Sequence, residues 1–255
     1  MTTLRALVER LRNDCPWDRA QDLRSMRPYL LEECHEVLEA LDRGDLGSLR
    51  EELGDLLFQV YFIARLAEEH GAFDIEDAAG AVVRKMVERH PHVYGGDSTA
   101  TAGAATEAEA SVGAWEARKA RTRSGSRVDG VPASLPALLR AHRVGEKVAH
   151  VGFDWPDLAG VLAKVDEERA ELAEAIARGD RAAIVHEYGD LLLACASVGR
   201  FLGVSGEDAL REANARFEGR FRSVERQAAT AGVALESAGL ERLEGWWQQA
   251  KREQA

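Results

Sequence analysis

Glu32-Glu33-Cys34-His35-Glu36 is followed by Arg43-Gly44-Asp45 and then by Glu52-Leu53-Gly54-Asp55-Leu56-Leu57. The same arrangement returns 135 residues later as Glu167-Glu168-Arg169-Ala170-Glu171, Arg178-Gly179-Asp180 and Glu187-Tyr188-Gly189-Asp190-Leu191-Leu192. Thirteen of the 26 positions from 32 to 57 are identical to their partners, far above what composition alone produces. The chain therefore reads as a tandem repeat of one acidic unit.

Each unit carries its own turn. A glycine after a basic residue suits a left-handed helix C′ position, and the following aspartate suits an N-cap that accepts the free amides of the next helix. Two antiparallel helices joined by so short a turn form an αα-hairpin, in which residues equidistant from the turn lie at one height. Glu36 and Glu52 are each eight residues from Gly44, and Glu33 and Asp55 are each eleven away. Glu171 and Glu187 stand eight residues from Gly179, and Glu168 and Asp190 eleven.

Within each helix the two acids are three apart and share a face, and axes packed about 8–10 Å apart bring the faces within reach. Four like charges beside an apolar seam repel unless a cation compensates. Carboxylate oxygens of this kind suit Mg²⁺, with Mn²⁺ as the alternative. The metal ligands expected on this basis are Glu33, Glu36, Glu52 and Asp55 in the first half and Glu168, Glu171, Glu187 and Asp190 in the second.

The surrounding sequence places these hairpins in an all-α fold. Apolar residues recur at helical spacing, as in Leu53, Leu56, Leu57 and Val60, and strand-like alternation is nearly absent. The six prolines fall in loops or near helix starts. Gly, Ser and Pro between Arg121 and Pro136 mark a connection. The expected division is an N-terminal helical domain at 1–123, a linker at 124–136 and a C-terminal helical domain at 137–255.

With 44 acidic and 33 basic side chains, the net charge of −11 disfavours a nucleic-acid partner. A nucleotide can still bind where a cation and a few basic residues reverse the local field. Three scattered cysteines without CxxC spacing indicate neither a disulfide framework nor a zinc site, and fit a reducing cytoplasm. No membrane span, leader or anchor is expected.

The two acidic segments resemble those of the MazG family, whose mark is E-E-x-x-E followed at a distance by E-x-x-D. The likeness runs from Cys15-Pro16-Trp17-Asp18 to Trp247-Gln248-Gln249-Ala250-Lys251 and is to the two-domain bacterial form. It implies a dimerising helical bundle that hydrolyses nucleoside triphosphates between the α and β phosphates to monophosphate and pyrophosphate, clearing non-standard nucleotides. Carried over residue by residue, the metal ligands coincide with the two quartets above. The resemblance also maps a phosphate-contacting basic pair onto Arg216 and Arg220, with Lys85 and Arg89 in the first half. Trp247 and Lys251 would close the site.

Trp115 and Lys119 repeat the Trp247-x-x-x-Lys251 pattern, so each tryptophan could stack on a base with a lysine one turn on reaching phosphate, or could be core. Trp17 and Trp155, ahead of the acidic helices, could line the base pocket or pack against the bundle end. His90-Pro91-His92 has no counterpart in the second half and reads as a loop. In the expected chemistry a water attacks the α-phosphorus in line, with Glu167 or Glu32 as candidate base and Glu168, Glu171, Glu187 and Asp190 as the catalytic carboxylates. His186 stands where the first half has Glu51, and if it lies just outside the ligands its neutral ring is expected to weaken the hold on a divalent ion somewhat.

Two other classes compete. A di-iron bundle needs Glu-x-x-His on two facing helices, and only Glu32-x-x-His35 supplies it, since the second repeat has Ala170. A non-catalytic nucleotide-sensing or assembly module is separated from an enzyme by assaying pyrophosphate release.

Overall fold

The structure is a computed structural model that describes residues 3–94 and 125–253. The chain divides into two compact units, Met1–Trp115 and Glu116–Ala255. All regular structure among the described residues is helical, in agreement with the all-α reading.

In the first unit, α1 (Leu4–Asp14) starts at Thr3, whose hydroxyl accepts from the Ala6 amide, and α2 (Pro16–Arg19) opens on a proline whose missing N–H is harmless at that position. The central pair is α3 (Arg27–Arg43) and α4 (Leu46–Glu69), which pack along each other. Between them Gly44 has φ of 66°, and the Asp45 side chain accepts from the amides of Gly47 and Ser48. The Ser48 hydroxyl first, and then these amide hydrogen bonds, hold the Asp45 carboxyl below the usual range. The capping chemistry read from Arg43-Gly44-Asp45 is thus what reverses the chain.

α1 packs on α4, and Val8, Met26, Phe62 and Leu66 form the buried centre of this unit with Tyr29, Phe58, Tyr61 and Ile63 around it. α5 (Ile75–Arg89) begins with a reciprocal capping box between Asp74 and Asp77, and α6 (Pro91–Tyr94) follows it.

The second unit repeats the hairpin. α7 (Ala137–Ala149) precedes α8 (Leu158–Arg178) and α9 (Arg181–Phe201). Gly179 has φ of 67°, and Asp180 caps α9 through the amides of Ala182 and Ala183. α10 (Gly206–Thr230) is capped by Ser205, and after a 3₁₀ turn at Leu235–Ser237 the last helix, α11 (Leu240–Glu253), packs on α10. α7 packs on both α9 and α10. Residues 125–136 form turns without a helix, and Lys147 Nζ ties them to α7 by donating to the Asp129 carbonyl at 2.8 Å.

The buried core of the second unit uses small side chains: Val161, Ala175, Ala194, Ala196, Val224, Ala228 and Ala250. Such residues let helices approach closely but bury little apolar area each. Much larger apolar surface stays outside. Leu53, Leu57 and Val60 are 42–52% exposed on α4, and Tyr188 and Leu192, at the equivalent places on α9, are 55% and 40% exposed.

Candidate active site

In the first unit the hairpin brings one carboxylate oxygen each from Glu33, Glu36 and Glu52 within 4.8 Å of one another, a group that could hold a metal ion. Asp55 is not a member of that group, yet its charge reaches it. Burial, then the charges of Asp55 and Glu36, push the Glu33 carboxyl above the usual range, against an opposing hydrogen bond from Gln59. Burial followed by Glu36 and Asp55 does the same to Glu52. Gln59 Nε2 donates to Glu33 Oε1 at 3.3 Å, while Gln59 Oε1 is buried with no partner.

The second unit gathers Glu168 and Glu171 of α8 with Glu187 of α9 within the same 4.8 Å limit. Burial, then the charges of Glu168 and Glu187, raise the Glu171 carboxyl. Asp190 falls into a neighbouring group with Glu187 and His186, so Glu187 is common to both. His186 Nδ1 lies 3.0 Å from Asp190 Oδ2 and 3.7 Å from Glu187 Oε2. The level pairing of Glu33 with Asp55 and of Glu168 with Asp190 therefore resolves into three carboxylates plus an outlying aspartate in each unit. The i,i+3 spacing puts both acids of a helix on one broad face but leaves them about 60° apart around the axis.

Glu168 is only 4% exposed. One of its oxygens, Oε1, meets Lys164 Nζ at 2.7 Å, whereas Oε2 is buried with no partner. A buried, orphaned carboxylate oxygen inside a cluster of hard oxygen donors is a costly arrangement for the protein alone, and it fits a divalent cation as the missing partner.

Lys164 escaped the sequence reading. It also meets Glu167 at 2.8 Å, and those two carboxylates hold its proton far above the ordinary lysine range. Its signal was the i,i+3 and i,i+4 spacing to Glu167 and Glu168, a pattern that surface helices also show. The first half has Tyr29 at the equivalent position.

Arg216 and Arg220 lie one turn apart on α10. Arg216 reaches Glu212 at 3.5 Å, and Arg220 Nε is buried with no partner. Between them in sequence, Phe217 packs on Trp247 of α11 with ring centroids 5.0 Å apart, which joins α10 to α11. Lys251 is exposed one turn beyond Trp247. Lys85 is exposed and Arg89 half-buried on α5, while Trp115 and Lys119 lie outside the described residues. Trp17 makes an edge contact with Tyr29 at 5.8 Å.

Residues 21–94 and 158–224 match the model of the MazG nucleotide pyrophosphohydrolase domain, and these segments contain both acidic hairpins. The chain is 42% identical to the nucleoside triphosphate pyrophosphohydrolase of Escherichia coli K12, over 98% of this chain and 97% of that protein. It is 40% identical to the nucleoside triphosphate pyrophosphohydrolase/pyrophosphatase MazG of Thermotoga maritima, over 96% of this chain and 93% of that one. Two matched segments, each holding a turn that converges carboxylates from two helices, and similarity along almost the full length of both relatives lead to one conclusion: this chain belongs to the MazG family of nucleotide pyrophosphohydrolases.

Proposed function

We propose that this chain hydrolyses nucleoside triphosphates to monophosphate and pyrophosphate in an Mg²⁺-dependent reaction, with the second unit as the main catalyst and non-standard nucleotides as its purpose. The observation that carries this reading is the orphaned Glu168 oxygen among the clustered carboxylates of α8 and α9.

Glu168, Glu171, Glu187 and Asp190 would hold the cation. When bound, such an ion supplies Lewis acidity and neutralises phosphate charge. The remaining work belongs to the side chains. Glu167 accepts the proton of the attacking water, and Glu32 is its counterpart in the first unit. Arg216, Arg220 and Lys251 offset charge on the phosphate oxygens, supplying the local positive field that a net charge of −11 lacks. Two guanidiniums grip phosphate in bidentate fashion, which the Lys85 and Arg89 pair of the first unit does less well. Trp247 offers its ring face to a base.

The apolar faces of α4 and of α9 each support a homodimer, because burying either against a second copy removes exposed apolar side chains from water. No helix among the described residues is long and apolar enough to cross a membrane. With the free cysteines Cys15, Cys34 and Cys195, this favours a cytoplasmic site of action.

The test is product identity. Phosphorus NMR of a reaction containing Mg²⁺ is expected to show monophosphate and pyrophosphate in equal amounts, and none in EDTA. Diphosphate with inorganic phosphate, or undiminished turnover in EDTA, would overturn the reading.

A further inference from the structure

His186 is the one position where the second acidic hairpin replaces a charge of the first with a nitrogen donor. In the first unit Glu51 sits there, 3.8 Å from Arg50, and outside the Glu33, Glu36 and Glu52 group. In the second unit the ring is turned onto the site. Its Nδ1 is 3.0 Å from Asp190 Oδ2 and 3.7 Å from Glu187 Oε2, and the ligand atoms of His186, Glu187 and Asp190 all lie within 4.8 Å of one another. Glu187 links this group to Glu168 and Glu171, where the buried Glu168 Oε2 lacks a partner. The expectation that His186 weakens the hold on a divalent ion treats the ring as a neighbour of the ligands, whereas this geometry puts a ring nitrogen within reach of the ion itself.

We propose that His186 is a nitrogen ligand at the Glu187 and Asp190 end of the second-unit site, giving that unit a preference for transition ions over Mg²⁺ that the first unit lacks. The physical ground is ligand softness. Mg²⁺ binds oxygen and sheds water reluctantly, whereas imidazole suits later first-row divalent ions, whose affinity for nitrogen rises from Mn²⁺ towards Ni²⁺. One neutral ring in place of a carboxylate lowers the negative charge and adds a softer donor, so total affinity for Mg²⁺ falls while discrimination in favour of Co²⁺ rises. His186 is 71% exposed on its side chain, so a substitution there leaves the helix packing untouched.

This inference rests on the reading of the α8 and α9 cluster as a metal centre. The test uses the full chain loaded with Mn²⁺ and reads nitrogen-14 coupling by electron spin-echo modulation, alongside calorimetric affinities for Co²⁺ and Mg²⁺. The expected result is imidazole nitrogen modulation in the native protein that disappears in His186→Gln, with the ratio of Co²⁺ to Mg²⁺ affinity falling about tenfold. Bound Mn²⁺ without nitrogen modulation in the native protein overturns the inference and leaves the metal centre standing. Modulation that persists in His186→Gln also overturns it, since another histidine would then be the source. Failure of the native protein to bind Mn²⁺ overturns both.

Discussion

Lys164 Nζ sits 2.7 Å from one oxygen of Glu168, and the other oxygen of that carboxylate is buried without a partner. The lysine compensates half of a buried anion and leaves an opening on the other half. Removing it by Lys164→Met strands the charge, because breaking one side of a buried pair costs more than the pair contributes. The metal-free protein is therefore expected to melt at a lower temperature, with saturating Mg²⁺ recovering most of the difference. Calorimetry with and without the ion checks this, and an unchanged metal-free melting temperature would contradict it.

Glu187 belongs to two of the side-chain groups that could hold a metal ion and Asp190 to one. Glu187→Gln is accordingly expected to weaken divalent-ion binding more than Asp190→Asn, by about tenfold. Titration calorimetry on the two variants decides the order, and equal losses would argue against a shared ligand.

Glu33, Glu52 and Glu171 keep their protons to higher pH than ordinary carboxyls, through burial first and neighbouring carboxylates second. Between the unfolded and the raised folded values, the native state binds more protons than the unfolded one. The stability of the metal-free protein therefore falls as pH climbs through that window, which lies above the usual carboxyl range. A divalent ion competes with those protons. The rise in melting temperature on adding Mg²⁺ is expected to be largest at about pH 8 and to shrink towards about pH 5. An increment that does not vary with pH would rule this linkage out.

Gly179 adopts φ of 67° with open space around it, so a side chain there meets backbone strain and no clash. Gly179→Ala is expected to destabilise the second unit by about 1 kcal/mol while leaving the α8 to α9 register intact. Denaturant unfolding measures the first, and retained metal affinity checks the second.

The hairpins were legible because their determinants are local. Gly44 with Asp45 and Gly179 with Asp180 carry the turn in their own side chains and backbone, so spacing along the sequence translates directly into height along the bundle. The finer site was less legible because it depends on angle around the helix axis. Equal distance from the turn fixes height but not azimuth or side-chain rotamer, and Asp55 and Asp190 fall outside the three-carboxylate groups. Lys164 was hidden for another reason: i,i+4 ion pairs are common on solvated faces, and only the burial of Glu168 distinguishes this one. The proximity of Phe217 to Trp247 joins α10 and α11, and no local pattern in either helix announces it.

The second unit's primacy is tested most directly by pyrophosphate release from two single variants assayed side by side under saturating Mg²⁺. Glu171 and Glu36 occupy equivalent places, eight residues before Gly179 and Gly44. Glu171→Gln is expected to lower turnover by about 100-fold and Glu36→Gln by less than about threefold. The reverse order would show that the first unit does the chemistry and that His186 marks a degraded copy.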